Sequence, residues 1–232
     1  MNNTKRINEG SPGFPALSKQ YLGSQTPKSL AFLGNEDILK QKKLALICSV
    51  KCPGDLILQT FDFMQILKEN GIVVISGFHS PMEKECLRIL LKGSQPIIIS
   101  LPRSIENMRM PAHYRKPLAN GRLLIMSCLP QGQKRITTET ALINNRFFAV
   151  LSDAVFIPYA APGGKTEALC RQLAAQGKKL ITLQHSENHS LIQLGAIPIE
   201  PVSRSAGAKP SQSLIRILGA LGRDGHHSEG NT

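Results

Sequence analysis

A glycine loop between an apolar run and a helical pattern is the segment of this chain best suited to bind an anion. The sequence YAAPGGKTEA occupies positions 159–168, where the apolar run ends and an amphipathic stretch begins. Backbone N–H groups at a helix N-terminus attract negative charge, and Gly163 and Gly164 let a ligand approach them closely. Lys165 and Thr166 add a positive charge and a hydroxyl group. The loop therefore predicts a phosphate site, and the alternative is a helix-start turn without a ligand.

The Gly-Lys-Thr triplet of this loop does not complete a Walker A motif. That motif carries another glycine five positions before the second one, and tyrosine stands at position 159. The loop also follows a late predicted strand rather than the first one. Glu139 and Asp153 are isolated carboxylates. We therefore expect no P-loop ATPase, no catalytic residue and no cofactor.

Two other loops follow predicted strands and face the same predicted crevice. The segment ICSVKCPG, at 47–54, follows the first strand, and SGFHS, at 76–80, follows the second. In parallel α/β sheets ligands bind beyond the carboxyl ends of the strands, where these loops lie. Neither loop has the Gly-x-Gly-x-x-Gly pattern, which argues against a redox Rossmann enzyme. Their candidate binding residues are Ser49, Lys51, Gly54, Ser76, Gly77 and Phe78.

Short apolar runs alternate with amphipathic stretches between positions 43 and 201, as strands and helices do around a parallel sheet. The predicted strands are Leu44–Ser49, Ile72–Ser76, Pro96–Leu101, Leu123–Ser127, Ala154–Tyr159 and Lys179–Leu183. The predicted helices are Leu56–Glu69, Met82–Leu91, Thr138–Leu151 and Thr166–Gln176. The runs are apolar on both faces, which is typical of strands buried between two helix layers. We predict an α/β fold: a doubly wound, mostly parallel Rossmann-like sheet with short flexible termini.

The composition divides the chain into three segments. Residues 1–27 are rich in Gly, Ser, Pro and Asn and predict a flexible arm, and residues 28–202 form the Rossmann-like domain. Residues 203–232 predict a basic, mostly disordered tail that could hold a short helix over 213–221. There is no secretory signal, no apolar run long enough to span a bilayer, and no CxxC spacing among the five cysteines. We expect a cytoplasmic protein with reduced thiols, no membrane partner and no metal site.

Positive charge is concentrated in one part of the chain. There are 28 Lys and Arg against 16 Asp and Glu, and the segment 84–135 holds ten of the basic residues and two of the acidic ones. Such segregation is typical of a surface that binds a polyanion, above all nucleic acid, with a merely solvated face or a membrane surface as the alternatives. The long connection 102–122 supplies the predicted outer rim of this surface: Arg103, Arg109, Arg115 and Lys116.

Aromatic residues are scarce, at 5% of the chain with no Trp. Base stacking needs an exposed aromatic ring, so charge must carry more of any nucleic-acid binding than stacking does. Phe78 and Tyr159 follow predicted strands and are the candidates for stacking. Phe147 and Phe148 are expected to pack in the core.

Several segments resemble the DNA-processing protein A family, also called DprA or Smf. The strongest is NNRFFAVLSDAVFIPYA, at 144–160, which resembles the family's Arg-Asn-Arg segment and the apolar strand after it. The Gly163-Gly164 pair stands where the family carries Ser-Gly. The other similar segments are PKSLAFLGNEDIL, LALICSVKCPGD, ILKENGIVVISGF and SLIQLGA. All of them follow the family's order between Pro27 and Pro201, which makes the combined resemblance specific.

The chain departs from the family at three motifs, and we predict a divergent member. The family's Gly-Ser-Arg is Cys48-Ser49-Val50 here, and the Arg-Asn-Arg triplet begins with Asn144. The arginine and the aspartate that follow Ser-Gly in the family's second loop are absent. We expect this member to lack the C-terminal winged helix that many members carry.

The resemblance implies a protein that binds single-stranded DNA and loads a RecA-type recombinase during natural transformation, usually as a homodimer and without catalysis. The residues expected at the DNA backbone are Lys51, Asn145, Arg146 and Lys165. For Arg146 the alternative is a salt bridge to Asp153 or a cap on helix carbonyl groups.

Two other functions stay open from the sequence. The segment PGGKTEA partly resembles the loop of the "lonely guy" phosphoribohydrolases, in which a helix glutamate assists N-glycosidic cleavage of a nucleoside monophosphate. Glu167 would take that place here. The second alternative is a sensor domain that binds a small nucleotide messenger, which fits the losses in the first two loops.

Overall fold

One mixed sheet of nine strands organises the computed structural model, which describes residues 4–15, 22–200, 217 and 219. The strands are β1 (Lys5–Asn8), β2 (Ser29–Gly34), β3 (Lys43–Leu46), β4 (Val73–Ser76), β5 (Ile97–Ser100), β6 (Leu123–Ser127), β7 (Ala154–Ile157), β8 (Leu180–Leu183) and β9 (Ile197–Ile199). Their order across the sheet is β1-β2-β6-β5-β4-β3-β7-β8-β9. The strands from β3 to β9 pair in parallel, while β1 and β2 extend the β6 side antiparallel.

The helices lie on both faces of the sheet. They are α1 (Gly54–Glu69), α2 (Pro81–Leu91), α3 (Ala112–Ala119), α4 (Thr138–Leu151), α5 (Lys165–Ala175) and the short α6 (His189–Gln193). Side chains of α1 and α2, such as Phe63 and Leu90, share one apolar cluster with the sheet. Side chains of α4 and α5, such as Phe147 and Leu173, share the cluster on the opposite face. Strands between two apolar layers need apolar side chains on both faces, and these strands have them.

The chain reverses its direction across the sheet between β3 and β7. From β3 it proceeds strand by strand to β6, and it then returns through α4 so that β7 pairs with the other side of β3. In open α/β sheets ligands bind outside the carboxyl ends of the strands at such a reversal. A ligand is therefore expected between the loops that follow β3 and β7.

The predicted α/β, doubly wound and mostly parallel fold is confirmed, and each predicted strand and helix has a counterpart. Several strands are shorter than predicted at their carboxyl ends; β3 ends at Leu46 and β7 at Ile157. The residues directly beyond them, such as Ile47 and Pro158, are still buried and begin the loops at the carboxyl edge of the sheet.

The structure contains elements that the sequence patterns did not indicate: β1, β2, β9, α3 and the short α6. Gly34 in β2 has a φ of 110°, and a Cβ there would lie 2.2 Å from the Leu123 carbonyl oxygen of β6. Only glycine fits this close approach, yet glycine weakens a strand pattern in the sequence. Helix α3 lies in the connection 102–122 and contains Pro117, which disfavours a helix prediction there.

The predicted arm and tail are described only in part. Within the predicted arm 1–27, Lys5–Asn8 form β1, because pairing with β2 satisfies backbone groups that the composition alone left without a partner. The predicted tail 203–232 and its helix over 213–221 lie outside the described residues, except that Ile217 and Gly219 are helical and Ile217 is buried. Among the described residues, no helix has the length and apolar character needed to cross a membrane.

Candidate nucleic-acid interface

Ser49 joins the two loops at the reversal point. Its N–H donates to the Tyr159 carbonyl oxygen at 3.1 Å, and its hydroxyl oxygen accepts from the Ala161 N–H at 3.0 Å. The next two side chains of the β3 loop, Val50 and Lys51, are exposed, with 77% of Val50 accessible to solvent. Gly54 is the first residue of α1. Lys51 is thus exposed on this loop, and Ser49 hydrogen-bonds the loop after β3 to the loop after β7.

The glycine loop after β7 binds its own glutamate. Gly163 has a φ of 67°, and its N–H donates to Glu167 Oε2 at 2.9 Å. That hydrogen bond is the main reason why the pKa of Glu167 lies below its usual value. A Cβ at Gly164 would lie 2.8 Å from the Ala161 carbonyl oxygen, so the loop requires glycine there for its own turn. Lys165 is exposed and Thr166 is half-buried in the first turn of α5, so both side chains are accessible to a ligand. The Gly163 N–H is not accessible, because it is bonded to Glu167.

The β4 loop uses Ser76 and Phe78 for its own structure. The Ser76 hydroxyl donates to the Leu46 carbonyl oxygen at 2.8 Å and accepts from the Phe78 N–H at 3.3 Å. Phe78 has a φ of 50° and only 4% of it is exposed, and Tyr159 is 9% exposed. Both rings belong to the apolar core and have no exposed face for the predicted base stacking. Phe147 and Phe148 are buried, as expected.

A buried carboxylate fixes the rest of the β4 loop. Glu83 Oε2 accepts the N–H groups of His79 at 2.9 Å and Ser80 at 3.1 Å, and the Ser80 hydroxyl accepts the Glu83 N–H in return. This is a capping box at the start of α2. Burial raises the pKa of Glu83, while its hydrogen bonds from Ser80, His79 and the Cys48 backbone lower it. The Glu83 carboxylate therefore links the β3 and β4 loops through hydrogen bonds from the backbone of both.

Basic residues follow in the same loops. Burial is the main cause that lowers the pKa of His79, and the charges of Lys84 and Arg103 lower it further. The Ser104 N–H donates to the Gln133 carbonyl oxygen at 2.7 Å, so the β5 loop contacts the segment that carries Lys134 and Arg135.

Lys84, Lys134 and Arg135 are exposed and Arg103 is half-exposed, and none of the four forms an ion pair within the described part of the chain. We define these four residues as the inner basic cluster. Of these, only Arg103 was predicted as a site residue. The excess charge of 84–135 marked all four, but only the folded structure shows that Ser104 and Gln133 join the loops that carry Arg103 and Lys134.

The other basic residues of this segment divide between surface and structure. Arg109, Arg115 and Lys116 are exposed on α3 and on the chain before it, which is consistent with the outer rim predicted for them. Arg122 instead donates to the carbonyl oxygens of Gln95, at 3.1 Å, and Leu91. Arg122 therefore closes the turn before β6, and its charge does not belong to the rim.

Arg146 lies in a groove beside the crevice. The groove has a volume of about 770 Å³ between α4 and α5, and both Arg146 and Lys165 line it. Arg146 Nη1 donates to Gln25 Oε1, whereas Asp153 pairs with Lys43 at 3.9 Å, so the predicted alternative of a salt bridge from Arg146 to Asp153 is wrong. The structure thus brings two predicted phosphate contacts together.

Two adjacent asparagines at this edge have different environments. Asn144 is fully buried: its Oδ1 accepts from the Ser100 hydroxyl at 2.6 Å, and its Nδ2 donates to the Ser100 carbonyl oxygen at 2.8 Å. Asn145 is half-buried. Asn144 therefore fixes α4 to the end of β5, and Asn145 is the member of the pair that a ligand can reach.

The described residues show no cluster of three or more His, Cys, Asp or Glu side chains that could hold a metal ion. His185 Nε2 lies 2.6 Å from Asp55 Oδ2 at the start of α1, which is a pair rather than a metal site.

Solved structures share this fold. DNA processing protein A (DprA) from Streptococcus pneumoniae is 18% identical, with a TM-score of 0.68 over 85% of this chain and 71% of that chain. DNA processing protein A from Helicobacter pylori, whose single-stranded DNA binding mode has been described, is 18% identical, with a TM-score of 0.69 over 94% and 95%. The molybdenum cofactor binding protein from Rippkaea orientalis is 12% identical, with a TM-score of 0.50 over 78% and 97%.

No curated protein matches the sequence significantly. The sequence profile of a protein family does match, and it covers residues 5–204, which include all nine strands and both sides of the crevice. The chain therefore belongs to the family of DNA recombination-mediator protein A.

Proposed function

We propose that this protein binds single-stranded DNA along the carboxyl edge of its sheet and acts in DNA processing and recombination. The inner basic cluster is the observation that carries the proposal. Lys84, Arg103, Lys134 and Arg135 come from α2 and from the loops after β5 and β6, two loops that the Ser104–Gln133 hydrogen bond joins, and none of the four has an acidic partner in the described part of the chain. Positive side chains without acidic partners attract a phosphate backbone and release its counterions.

The proposed path of the strand extends from this cluster along the crevice. Lys51 on the β3 loop and Lys165 at the start of α5 are exposed on either side of Ser49, and Arg146 and Asn145 lie on α4. We propose that these side chains contact further phosphates. The rings of Phe78 and Tyr159 are buried, so charge and hydrogen bonds carry the affinity and base stacking contributes little.

The biological setting follows from the family. The related protein from Helicobacter pylori is described by its single-stranded DNA binding mode. By that analogy we propose that this protein acts during natural transformation, that it hands DNA to a RecA-type recombinase and that it forms a homodimer. Its five free cysteines fit a reducing compartment, which supports a cytoplasmic location.

The hydrolase alternative has less support. Glu167 is the carboxylate that it requires, and this carboxylate accepts the Gly163 N–H and lies 3.8 Å from Arg171. These contacts favour the ionised form and hold it against its own loop, which suits a structural role better than proton transfer to a leaving group.

A salt titration tests the proposal. The affinity for fluorescent poly-dT is measured by anisotropy between about 50 mM and 200 mM salt, with a duplex of equal length and with mononucleotides as competitors. We expect tight binding of the single strand, a steep loss of affinity with salt and weaker binding of the duplex. Absence of binding at low salt, or displacement of the strand by low concentrations of a mononucleotide, would overturn the proposal, and the second result would favour the sensor.

Variants locate the site in the same assay. Lys84→Ala with Arg103→Ala removes half of the inner basic cluster, and we expect a clear loss of affinity. Lys92→Ala with Lys179→Ala removes the same charge from the opposite edge of the sheet, where α2 ends and β8 begins. Equal losses from the two double variants would show that net charge, rather than the crevice, binds DNA.

A further inference from the structure

Arg6 of β1 forms an ion pair with Glu106 of the loop after β5. Arg6 Nε donates to Glu106 Oε1 at 3.0 Å, and Arg6 Nη2 donates to the same oxygen. Arg6 Nη1 donates to the Ser29 hydroxyl oxygen at 2.6 Å, so each guanidinium nitrogen has a partner within the chain. The two side chains of the pair are 22% and 19% exposed, and solvent therefore screens this pair less than it screens a fully exposed one.

The sheet places Arg6 at the same edge as the proposed interface. Arg6 lies opposite Ala31 of β2, and Ala31 lies opposite Ser127, the last residue of β6. Three strand spacings, about 14 Å, separate β1 from β5 in the sheet. The loop after β5 therefore crosses the ends of two strands before it reaches Arg6, and the ion pair fixes the far end of this crossing.

Glu106 is the only acidic residue of the connection 102–122, which carries the outer rim. Partial burial raises the pKa of Glu106, but hydrogen bonds from Ser104 and Arg6 outweigh this effect and hold the pKa below its usual value. The carboxylate is therefore ionised at neutral pH. Both of its oxygens accept hydrogen bonds, Oε1 from Arg6 and Oε2 from the Ser104 hydroxyl. The one negative charge of this connection is thus neutralised by a cation from β1.

Without Arg6, the Glu106 carboxylate would compete with DNA for the cations of its own loop. Arg103 precedes Glu106 by three residues, so their Cα atoms lie at most about 11 Å apart, a distance that two long side chains can span. Among the residues that the structure describes, Arg103 has no ionic partner. A freed carboxylate would attract Arg103 as a phosphate does, and it would repel the DNA backbone.

We propose that Arg6 is a positioning residue of the DNA interface, which binds the Glu106 carboxylate so that Arg103 stays available to a phosphate of the single strand. This inference rests on the proposed function, because it assigns a further residue to the same interface. Strand β1 thereby takes part in DNA binding without contacting DNA, although the composition of residues 1–27 predicted only a flexible arm.

Three variants test the proposal in the poly-dT anisotropy assay at about 50 mM salt, where charges are screened least. R6A should bind about three- to fivefold more weakly than the wild-type protein, which is the upper range for a partly exposed ion pair. R6A/E106Q should return to within about twofold of the wild type, because glutamine has no charge to compete with phosphate. E106Q alone should bind at least as tightly as the wild type.

K5A is the matched control, because Lys5 is also in β1 and pairs with Glu36 at 2.9 Å. Glu36 follows β2 at the opposite edge of the sheet, since Gly34 of β2 lies opposite Leu124 near the start of β6. K5A thus removes the same charge and frees a carboxylate away from the interface. Its affinity should stay within about twofold of the wild type. Circular dichroism shows whether each variant is folded.

The outcomes separate this inference from the proposed function. If the wild-type protein binds no poly-dT, both fail. If it binds but R6A binds equally well, or K5A loses as much affinity as R6A, the proposed function stands and the role of Arg6 is overturned.

The double variant distinguishes a charge effect from a purely structural one. If R6A/E106Q binds as weakly as R6A, the hydrogen bonds of Glu106 matter rather than its charge, and the inference is overturned. If R6A does not fold, E106Q decides: binding at least as tight as that of the wild type supports the inference, and weaker binding overturns it.

Discussion

Asn144 and Asn145 show how adjacent residues of one type divide between structure and binding. Asn144 is buried and makes two hydrogen bonds to Ser100, whereas Asn145 is half-buried. The family motif that this segment resembles has arginine at the position of Asn144. Here the asparagine instead links α4 to the end of β5 by hydrogen bonds.

The variant Asn144→Ala should lower the free energy of unfolding by about 2–3 kcal/mol, because it removes two hydrogen bonds and leaves the Ser100 groups unpaired in the core. Asn145→Ala is the matched control and should change stability by less than about 0.5 kcal/mol. Urea unfolding followed by circular dichroism measures both values. Equal losses for the two variants would contradict this division.

Lys178 makes stability depend on pH. Its amine donates to the Val150 carbonyl oxygen at 2.9 Å and to the Ser152 carbonyl oxygen, and burial lowers its pKa to about 8 from 10.5. Above about pH 8 the folded protein loses this proton while the unfolded chain still holds it, so the free energy of unfolding rises with pH up to about 10.5.

The Lys178→Met variant should lack this rise. Between about pH 8 and pH 10 we expect its unfolding free energy to increase by about 1 kcal/mol less than that of the wild type, a value reduced for the partial exposure of the amine. Lys179→Met, at the exposed neighbour, should follow the wild type. Chemical unfolding of the three proteins at several pH values measures these free energies. An identical pH profile for Lys178→Met and the wild type would refute it.

At the scale of elements, the loop between β6 and α4 contributes charge that the sequence did not assign to the site. This loop carries Lys134 and Arg135, and Gln133 anchors it to Ser104 of the β5 loop. Thr137 then begins α4 with a side-chain cap on the Thr140 N–H at 3.1 Å. The two basic side chains therefore project from a segment held at both ends.

Removal of this charge should change the salt dependence of binding. Each phosphate contact on a single strand contributes about 0.7 to the slope of log affinity against log salt, so Lys134→Ala with Arg135→Ala should reduce the slope by about 1.4. The double variant at Lys92 and Lys179 should leave the slope unchanged. A salt titration with poly-dT gives both slopes, and the same slope in all three proteins would exclude this loop from the interface.

The elements were predictable where a local pattern coincided with burial. Apart from α3, the strands and helices from β3 to β8 alternate regularly, and both faces of each strand are apolar, so periodicity alone located them. Strand β2 was not located because Gly34 interrupts its pattern, and α3 was not located because Pro117 lies inside it. Contacts with β6 stabilise these segments, and such contacts are distant in sequence.

At the scale of the whole molecule, β9 is the edge of the sheet on the side away from β1. Ile197 is 38% exposed there, and Pro198 follows it. The Ile199 carbonyl oxygen accepts from the Gln184 N–H of the β8 side, so by alternation Pro198 faces the outer edge, where it offers no N–H. Pro198 disfavours continuation of the sheet by another copy across this edge, and a homodimer formed here would use side chains such as Ile197.

The variant Ile197→Lys tests this edge. If the proposed homodimer forms through it, the wild-type protein should sediment as a dimer at micromolar concentration and the variant as a monomer, because a charge replaces an apolar contact. Ile143→Lys, at an isoleucine of α4 with 42% exposure, is the control and should remain dimeric. Analytical ultracentrifugation makes the comparison, and dissociation by Ile143→Lys alone would move the interface to the groove beside Arg146.

The sequence by itself determined the class of fold, the family resemblance and the segment that holds the excess charge, because each depends on local periodicity, short motifs or composition. It also pointed to the loops after β3, β4 and β7. Only the tertiary structure decided that Phe78 is buried, that Glu167 binds its own loop and that Ser104 and Gln133 join the loops that carry Arg103 and Lys134. These facts depend on which strands pair and how far side chains reach across them, and residues distant in the sequence set both.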